Sequence, residues 1–223
     1  NSKGADFIFN GENRVSDEIF NGVTHVLSCI PPLASGEDPV LIKLKPQLLN
    51  SKNLKWVGYL STTGVYGDTN GNWVNENKYP NPKQERSIRR FSCEKQWLET
   101  KLPVQILRLP GIYGPGRSAF ESLLKGTTKM IDKPGQVFSR VHVDDIAGAV
   151  LFLINLYSQG KNPSVVNVAD NLPTNNLEVI AFAAKIAKKS LPSKVPFEIA
   201  KKTMSPMALS FWQENRKVDN KLL

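Results

Sequence analysis

Short apolar runs alternate with longer amphipathic stretches along most of the chain. Residues 5–9 (ADFIF) predict a short strand, and residues 17–22 a turn or part of a helix. Thr24–Ile30 has the length and β-branched content of a buried strand, and Pro31-Pro32, which cannot donate to a ladder, end it. Over residues 39–49 the apolar positions Val40, Leu41, Leu44 and Leu48 return at helical spacing, and residues 56–61 form the next strand. A polar, turn-rich loop over 70–80 leads to a helix over 84–101, with Ile88, Phe91, Lys95 and Leu98 on one stripe. Strands follow at 104–109 and 165–168. Helices follow at 118–124, at 146–157 with Asp144 as its N-cap, and at 177–189. Strands separated by helices need crossover connections, which make them parallel. The expected fold class is therefore α/β, a Rossmann-like doubly wound parallel sheet over residues 1–170. Residues 171–223 turn helical and polar, and predict a small C-terminal lobe over the carboxyl edge of the sheet, where such folds bind ligands.

Composition narrows the chemistry. The 223 residues, 40% of them hydrophobic, suffice for one full core and exclude a disordered tail or a disulfide-stapled miniprotein. The longest apolar stretch, residues 147–156, is too short to span a bilayer, so no membrane partner is expected. Two cysteines outside any CxxC pattern and two histidines, His25 and His142, are too few and too scattered for a structural metal site. No G-x-S-x-G elbow occurs, which removes the common serine-hydrolase arrangement. The formal net charge of +9 reads first as solvated helix faces and second as attraction to an anion: a dinucleotide phosphate, an acidic substrate or RNA. No arginine-rich tail or aromatic-studded basic strand supports the last, so nucleic acid is the runner-up partner. No secretory or transit pattern is seen, and a cytoplasmic location is expected.

Three motifs in order carry the candidate chemistry: Tyr59–Gly67 (YLSTTGVYG), Leu107–Arg117 (LRLPGIYGPGR) and Arg140–Ala147 (RVHVDDIA). In the first, a strand runs into hydroxylated residues, which sets several hydroxyls at its carboxyl end. In this order, with Lys95 and Glu99 on the intervening helix, the motifs resemble extended short-chain dehydrogenases/reductases, the NAD-dependent epimerase/dehydratase superfamily. Residues 58–68, 133–140 and 205–208 are similar to its atypical YeeZ-like bacterial group. The resemblance implies NAD or NADP as cofactor, a small anionic or sugar-nucleotide-like substrate, oxidoreductase or epimerase chemistry, and a homodimer as candidate assembly. A catalytically inactive NAD(P)-binding scaffold or sensor is the alternative, with an RNA-binding relative behind it.

By the same resemblance, Thr62 takes the place of the catalytic Ser/Thr and Lys95 that of the lysine of Y-x-x-x-K. Phe91 stands where the proton-relaying tyrosine belongs, and a phenyl ring has no proton to give. Tyr66 is the nearest substitute, although packing of its turn competes with chemistry. The cofactor-facing set is Ser28, Cys29, Ile30 and Pro31 on the adenosine side, Ser61, Thr62 and Lys95, and Pro110, Gly111 and Ile112 toward the nicotinamide. Arg117 is a candidate for an anionic substrate. Arg108, inside a strand, reads as half of a buried ion pair. Cys93 reads as buried and inert and His142 as structural, while residues 205–208 with Phe211, Asn215 and Arg216 fall in the substrate lobe. No metal ligand set is expected. Gly4, Gly11 and Gly22 are isolated, and Gly114-Pro115-Gly116 lies beyond its strand, so no glycine-rich pyrophosphate turn is found. The expectation is a fragment lacking the first two strands and the end of a protein of about 280–300 residues, with weak or absent cofactor binding of its own.

Overall fold

The computed structural model describes residues 6, 7, 9 and 15–223; the strand expected over residues 5–9 lies largely outside them. In chain order the first part holds β1 (His25–Ser28), α1 (Pro39–Asn50), β2 (Trp56–Thr62), β3 (Trp73–Val74), α2 (Glu85–Leu98) and β4 (Val104–Leu109). The middle holds β5 (Gly111–Tyr113), α3 (Ala119–Leu124), β6 (Met130–Asp132), β7 (Arg140–His142), α4 (Val143–Ser158) and β8 (Val165–Asn167). The last part holds α5 (Asn176–Ala187), β9 (Lys194–Pro196), α6 (Phe197–Ala200), α7 (Pro206–Trp212) and β10 (Lys217–Val218).

The main sheet has the order β1-β2-β4-β8, all parallel, with Val57 opposite Val104 and Thr62 opposite Leu109 in its central pair. Successive side chains of a strand point to opposite faces, and here both faces are covered. Val57, Tyr59 and Ile106 pack with Val40, Leu41 and Leu48 of α1 and with Cys93 and Trp97 of α2. Trp56, Leu107, Leu109 and Val166 pack with Ile146, Ala149 and Leu153 of α4. Burial on both faces explains the near-continuous apolar runs of the central strands. The doubly wound α/β expectation holds.

Polar anchors fix the helices. Asp38, fully buried, accepts from the amides of Val40 and Leu41 at the start of α1 and from the Trp97 indole of α2. At α4 the expected cap is displaced. The helix begins at Val143 directly after β7, His142 Nδ1 accepts from the Asp144 amide at 3.2 Å, and Asp144 lies exposed in the first turn. Three further pairs, β3 with β10, β5 with β7 and β6 with β9, are parallel, and each partner is only two or three residues long. Such pairs join distant segments and carry no periodicity a sequence could betray. Among the described residues no helix is long and apolar enough to cross a membrane, and no three His, Cys, Asp or Glu gather as a metal site.

Cys93 is buried, its Sγ 3.6 Å from the Gly36 carbonyl, and burial pushes its thiol up to about 11 from the ordinary 9.0. The folded chain therefore keeps a proton that an unfolded chain releases near pH 9. The stability this group confers is full below pH 9 and is lost as the pH climbs toward 11. Urea denaturation at pH 8 and pH 10.5 should differ in that direction. Iodoacetamide at pH 8 should label the exposed Cys29 and spare Cys93 until the chain unfolds.

Candidate ligand-binding site

The strands β2 and β4 end side by side and then part. After Thr62 the chain tightens into a 3-10 turn over Thr63–Tyr66, with Thr62 Oγ1 accepting from the Gly64 amide at 3.1 Å. After Leu109, Pro110 interrupts the ladder and β5 leaves to pair with β7. The divergence opens a cavity of about 480 Å³ at the carboxyl edge of the sheet. Its far wall comes from α7 and the segment after it, Ser210 to Val218.

Asn215 fastens that segment. Its backbone amide donates to Asp68, its carbonyl accepts from the amides of Thr69 and Gly71, its Oδ1 accepts from the Val137 amide and its Nδ2 donates to the Gly135 carbonyl. The strand pair β3–β10 and the bond from the Val218 amide to Ser139 Oγ continue the seam.

Four arginines line the cavity, Arg86, Arg117, Arg140 and Arg216, against one carboxylate, Glu214. Arg216 NH1 donates to Glu214 Oε2 and to the Gly67 carbonyl, at 2.8 and 2.7 Å. Arg140 NH1 donates to the carbonyls of Phe138 and Thr174; burial draws this guanidinium below its ordinary value, against the pull of Asp170. Arg86 lies 4.0 Å over the Phe211 ring, and burial lowers it too, with Glu214 opposing. Among the described residues no carboxylate lies within ion-pair reach of Arg86 or Arg117. Phe138, Phe211 and Trp212 add an aromatic wall. Chemically the cavity offers cations and flat apolar faces, suited to an anion that carries a ring.

The sequence-predicted residues divide. Thr62, Pro110, Gly111 and Ile112 line this cavity, as do Arg117, Phe211 and Arg216. Ser61 does not: it is buried and its Oγ donates to Glu94 Oε1 at 2.5 Å. Glu94 in turn holds Arg108 by two hydrogen bonds, the buried ion pair expected for Arg108. Burial opposes the Arg108 charge, but the bonds to Glu94 outweigh it and raise the guanidinium's proton affinity. Tyr66 is 1% exposed and its hydroxyl donates to Asn167 Oδ1 at 2.7 Å, so its proton is spent inside the fold. Ser28, Cys29 and Ile30 line a separate apolar concavity of about 380 Å³; among the described residues the buried Ser28 Oγ has no partner there, and Pro31 is exposed beside it.

Lys95 is exposed, its Nζ 4.5 Å over the Phe91 ring, and Phe91 meets Tyr79 edge to face. Neither lines the cavity that Thr62 borders, so Thr62 and Lys95 do not converge there. From the first turn of α2, Arg86 and Ser87 line the cavity, and Arg90 lies one turn further on. Arg90 NH1 donates to the carbonyls of Ile30 and Leu60 and to the Tyr59 hydroxyl. Arg86, Arg90 and Glu214 escaped the sequence reading. The signal for the two arginines was the i, i+4, i+8 row Arg86, Arg90, Glu94 on α2.

No family model matches the chain, and no curated protein matches it. Among solved structures it is similar to a functionally unknown conserved protein from Silicibacter pomeroyi DSS, with 42% identity over 96% of this chain and 73% of that one and a TM-score of 0.85. It is also similar to UDP-glucuronic acid 4-epimerase from Bacillus cereus in complex with NAD (18% identity, 96% and 71% covered, TM-score 0.69). A third is DesIV, the dTDP-glucose 4,6-dehydratase from Streptomyces venezuelae with NAD and TYD bound (15% identity, 92% and 68% covered, TM-score 0.68). The last two likenesses are of fold.

Both of these neighbours hold NAD. A dinucleotide pyrophosphate takes its hydrogen bonds from a glycine-bearing strand-to-helix turn and a free helix N-terminus. Between β1 and α1 the chain instead runs through Pro31 and Pro32, and the buried Asp38 carboxylate already occupies the N-terminus of α1. The turn between β1 and α1 does not fit a dinucleotide pyrophosphate.

Proposed function

Because the chain belongs to the family of the conserved Silicibacter pomeroyi protein and has the fold of NAD-dependent epimerases and dehydratases, we propose that it is an epimerase/dehydratase-like protein that binds a small anionic, sugar-nucleotide-like molecule at the carboxyl edge of its sheet. The observation that carries this reading is the cavity itself, four arginines against one carboxylate with four aromatic rings, Tyr113, Phe138, Phe211 and Trp212, beside them. Guanidinium groups pair with phosphate or carboxylate oxygens in bidentate fashion, and a partly desolvated pocket strengthens such pairs. Thr62 and the Pro110–Ile112 backbone are the proposed uncharged contacts.

Binding without turnover is the form of this reading that α2 favours. The helix brings a guanidinium toward the cavity and no phenol, Tyr66 is committed to Asn167, and the phenol on the cavity wall, Tyr113, comes from β5 and not from the helix.

Isothermal titration with UDP-glucuronic acid tests the proposal. Saturable one-to-one binding is expected, weakening as salt rises, with a thermal shift that grows with ligand concentration. NAD and NADP added alone should shift the melting temperature little. A chain that shows neither heat nor shift with millimolar UDP-glucuronic acid does not have this function.

A further inference from the structure

Resting on that reading of the cavity, we infer that Arg86 decides which ligands the site accepts: those that turn a phosphate or carboxylate oxyanion toward the first turn of α2. The helix cannot slide to present another residue. Arg90, one turn further on, ties α2 to β2 and to the segment after β1 through the Leu60 and Ile30 carbonyls. Glu94, one turn beyond that, is locked to Ser61 and Arg108 inside the core. With two successive turns pinned, the third member of the row, Arg86, is delivered beside Thr62, Thr63 and Gly64 at the end of β2.

Of the four cavity arginines, two already spend hydrogen bonds on the protein. Arg216 holds Gly67 and Glu214, and Arg140 holds two carbonyls. Arg86 instead sets its guanidinium carbon 4.0 Å over the Phe211 ring, with no hydrogen-bond partner for its side chain among the described residues. A guanidinium stacked on a ring keeps its in-plane N–H edge free, the edge that grips two oxygens of one anion. The aromatic partner also keeps the group extended, which reduces the ordering that binding would otherwise require. Arg117, the other uncommitted arginine, is the natural rival and serves as the comparison.

The test uses the intact chain and three probes: UDP-glucuronic acid, UDP-glucose and glucuronate. They separate a diphosphate from a sugar carboxylate as the group that Arg86 reads. Arg86→Ala should weaken UDP-glucuronic acid roughly 10–100-fold, the usual reach of a charge-assisted bidentate contact. Arg86→Lys should restore part of that loss, because it returns the charge without the fork. Equal weakening of UDP-glucose assigns the diphosphate to Arg86. An unchanged UDP-glucose affinity, with the glucuronate advantage gone, assigns the carboxylate. Arg86 is a surface residue of α2, so the variants should melt with the parent, and Lys95→Ala should bind as the parent does. If the parent binds but Arg86→Ala stays within about twofold for every probe while Arg117→Ala loses binding, the assignment to Arg86 is wrong and the cavity reading survives. If the parent binds none of the probes, both fall.

Discussion

Replacing Arg108 by methionine should lower the free energy of unfolding by about 3–5 kcal/mol. Arg108 sits in the central strand β4, 4% exposed, and its Nε and NH2 donate to the two oxygens of Glu94 at 3.1 and 2.7 Å. Glu94 is itself 1% exposed, and its one other partner among the described residues is the Ser61 hydroxyl. The same guanidinium lies 4.8 Å over the Tyr66 ring, whose hydroxyl reaches Asn167 on β8. Methionine would fill the space and strand a carboxylate in the core, held by one hydroxyl. The cost comes from that stranded charge and not from the worth of the pair, since pairing mainly repays desolvation. The double variant Glu94→Leu, Arg108→Met should therefore recover most of the loss. Urea denaturation of the single and double variants measures both, and a single-variant loss under about 1 kcal/mol would mean that Glu94 escapes to water.

This buried pair also explains which parts of the molecule were legible. The parallel sheet was readable because β2 and β4 are apolar on both faces, and α1 because Val40, Leu41 and Leu48 form its buried stripe. On α2 the same logic misled. Ile88 and Leu98, which mark an apolar stripe with Phe91, are 48% and 43% exposed, whereas Ser87, Cys93, Glu94 and Trp97 face the sheet. A helix that buries a carboxylate against a partner arginine carries its inner face in polar letters. Periodicity then selects the wrong side, and Lys95, which the family resemblance had put at the site, lies on that exposed side. The ends of β2 and β4 were legible as Thr62 and Pro110–Ile112 because their motifs are local. On the far wall the resemblance named Phe211 and Arg216, but Glu214 was not legible, since it reaches the cavity only through the Asn215 seam and the two-residue pair β3–β10. Nor was the α4 cap. The reading started that helix at Ile146 with Asp144 before it, whereas β7 feeds it directly and His142 does the capping.

Gly67→Ala should be as damaging, and it should cost binding as well as stability. Gly67 ends the turn after β2 with φ +71° and ψ −163°, a region that only glycine enters without strain of about 1–3 kcal/mol. A Cβ there would sit 2.2 Å from the Asn81 carbonyl oxygen, a backbone atom that cannot rotate away. Overlap of this kind adds about 1–3 kcal/mol more, so a total of about 3–5 kcal/mol is expected. The Gly67 carbonyl accepts from Arg216 NH1 at 2.7 Å, so whatever relieves the overlap also moves an arginine of the cavity wall. UDP-glucuronic acid affinity should fall along with the melting temperature. Gly116→Ala is the internal control. Its φ of +80° is also left-handed, but nothing lies within 4 Å of the added carbon, and only the conformational cost of about 1–2 kcal/mol should appear. Equal losses for the two variants in urea denaturation would mean that the turn relaxes freely and that Asn81 does not confine it. A larger loss at Gly67, with weaker ligand binding, ties the turn after β2 to the far side of the cavity through Arg216.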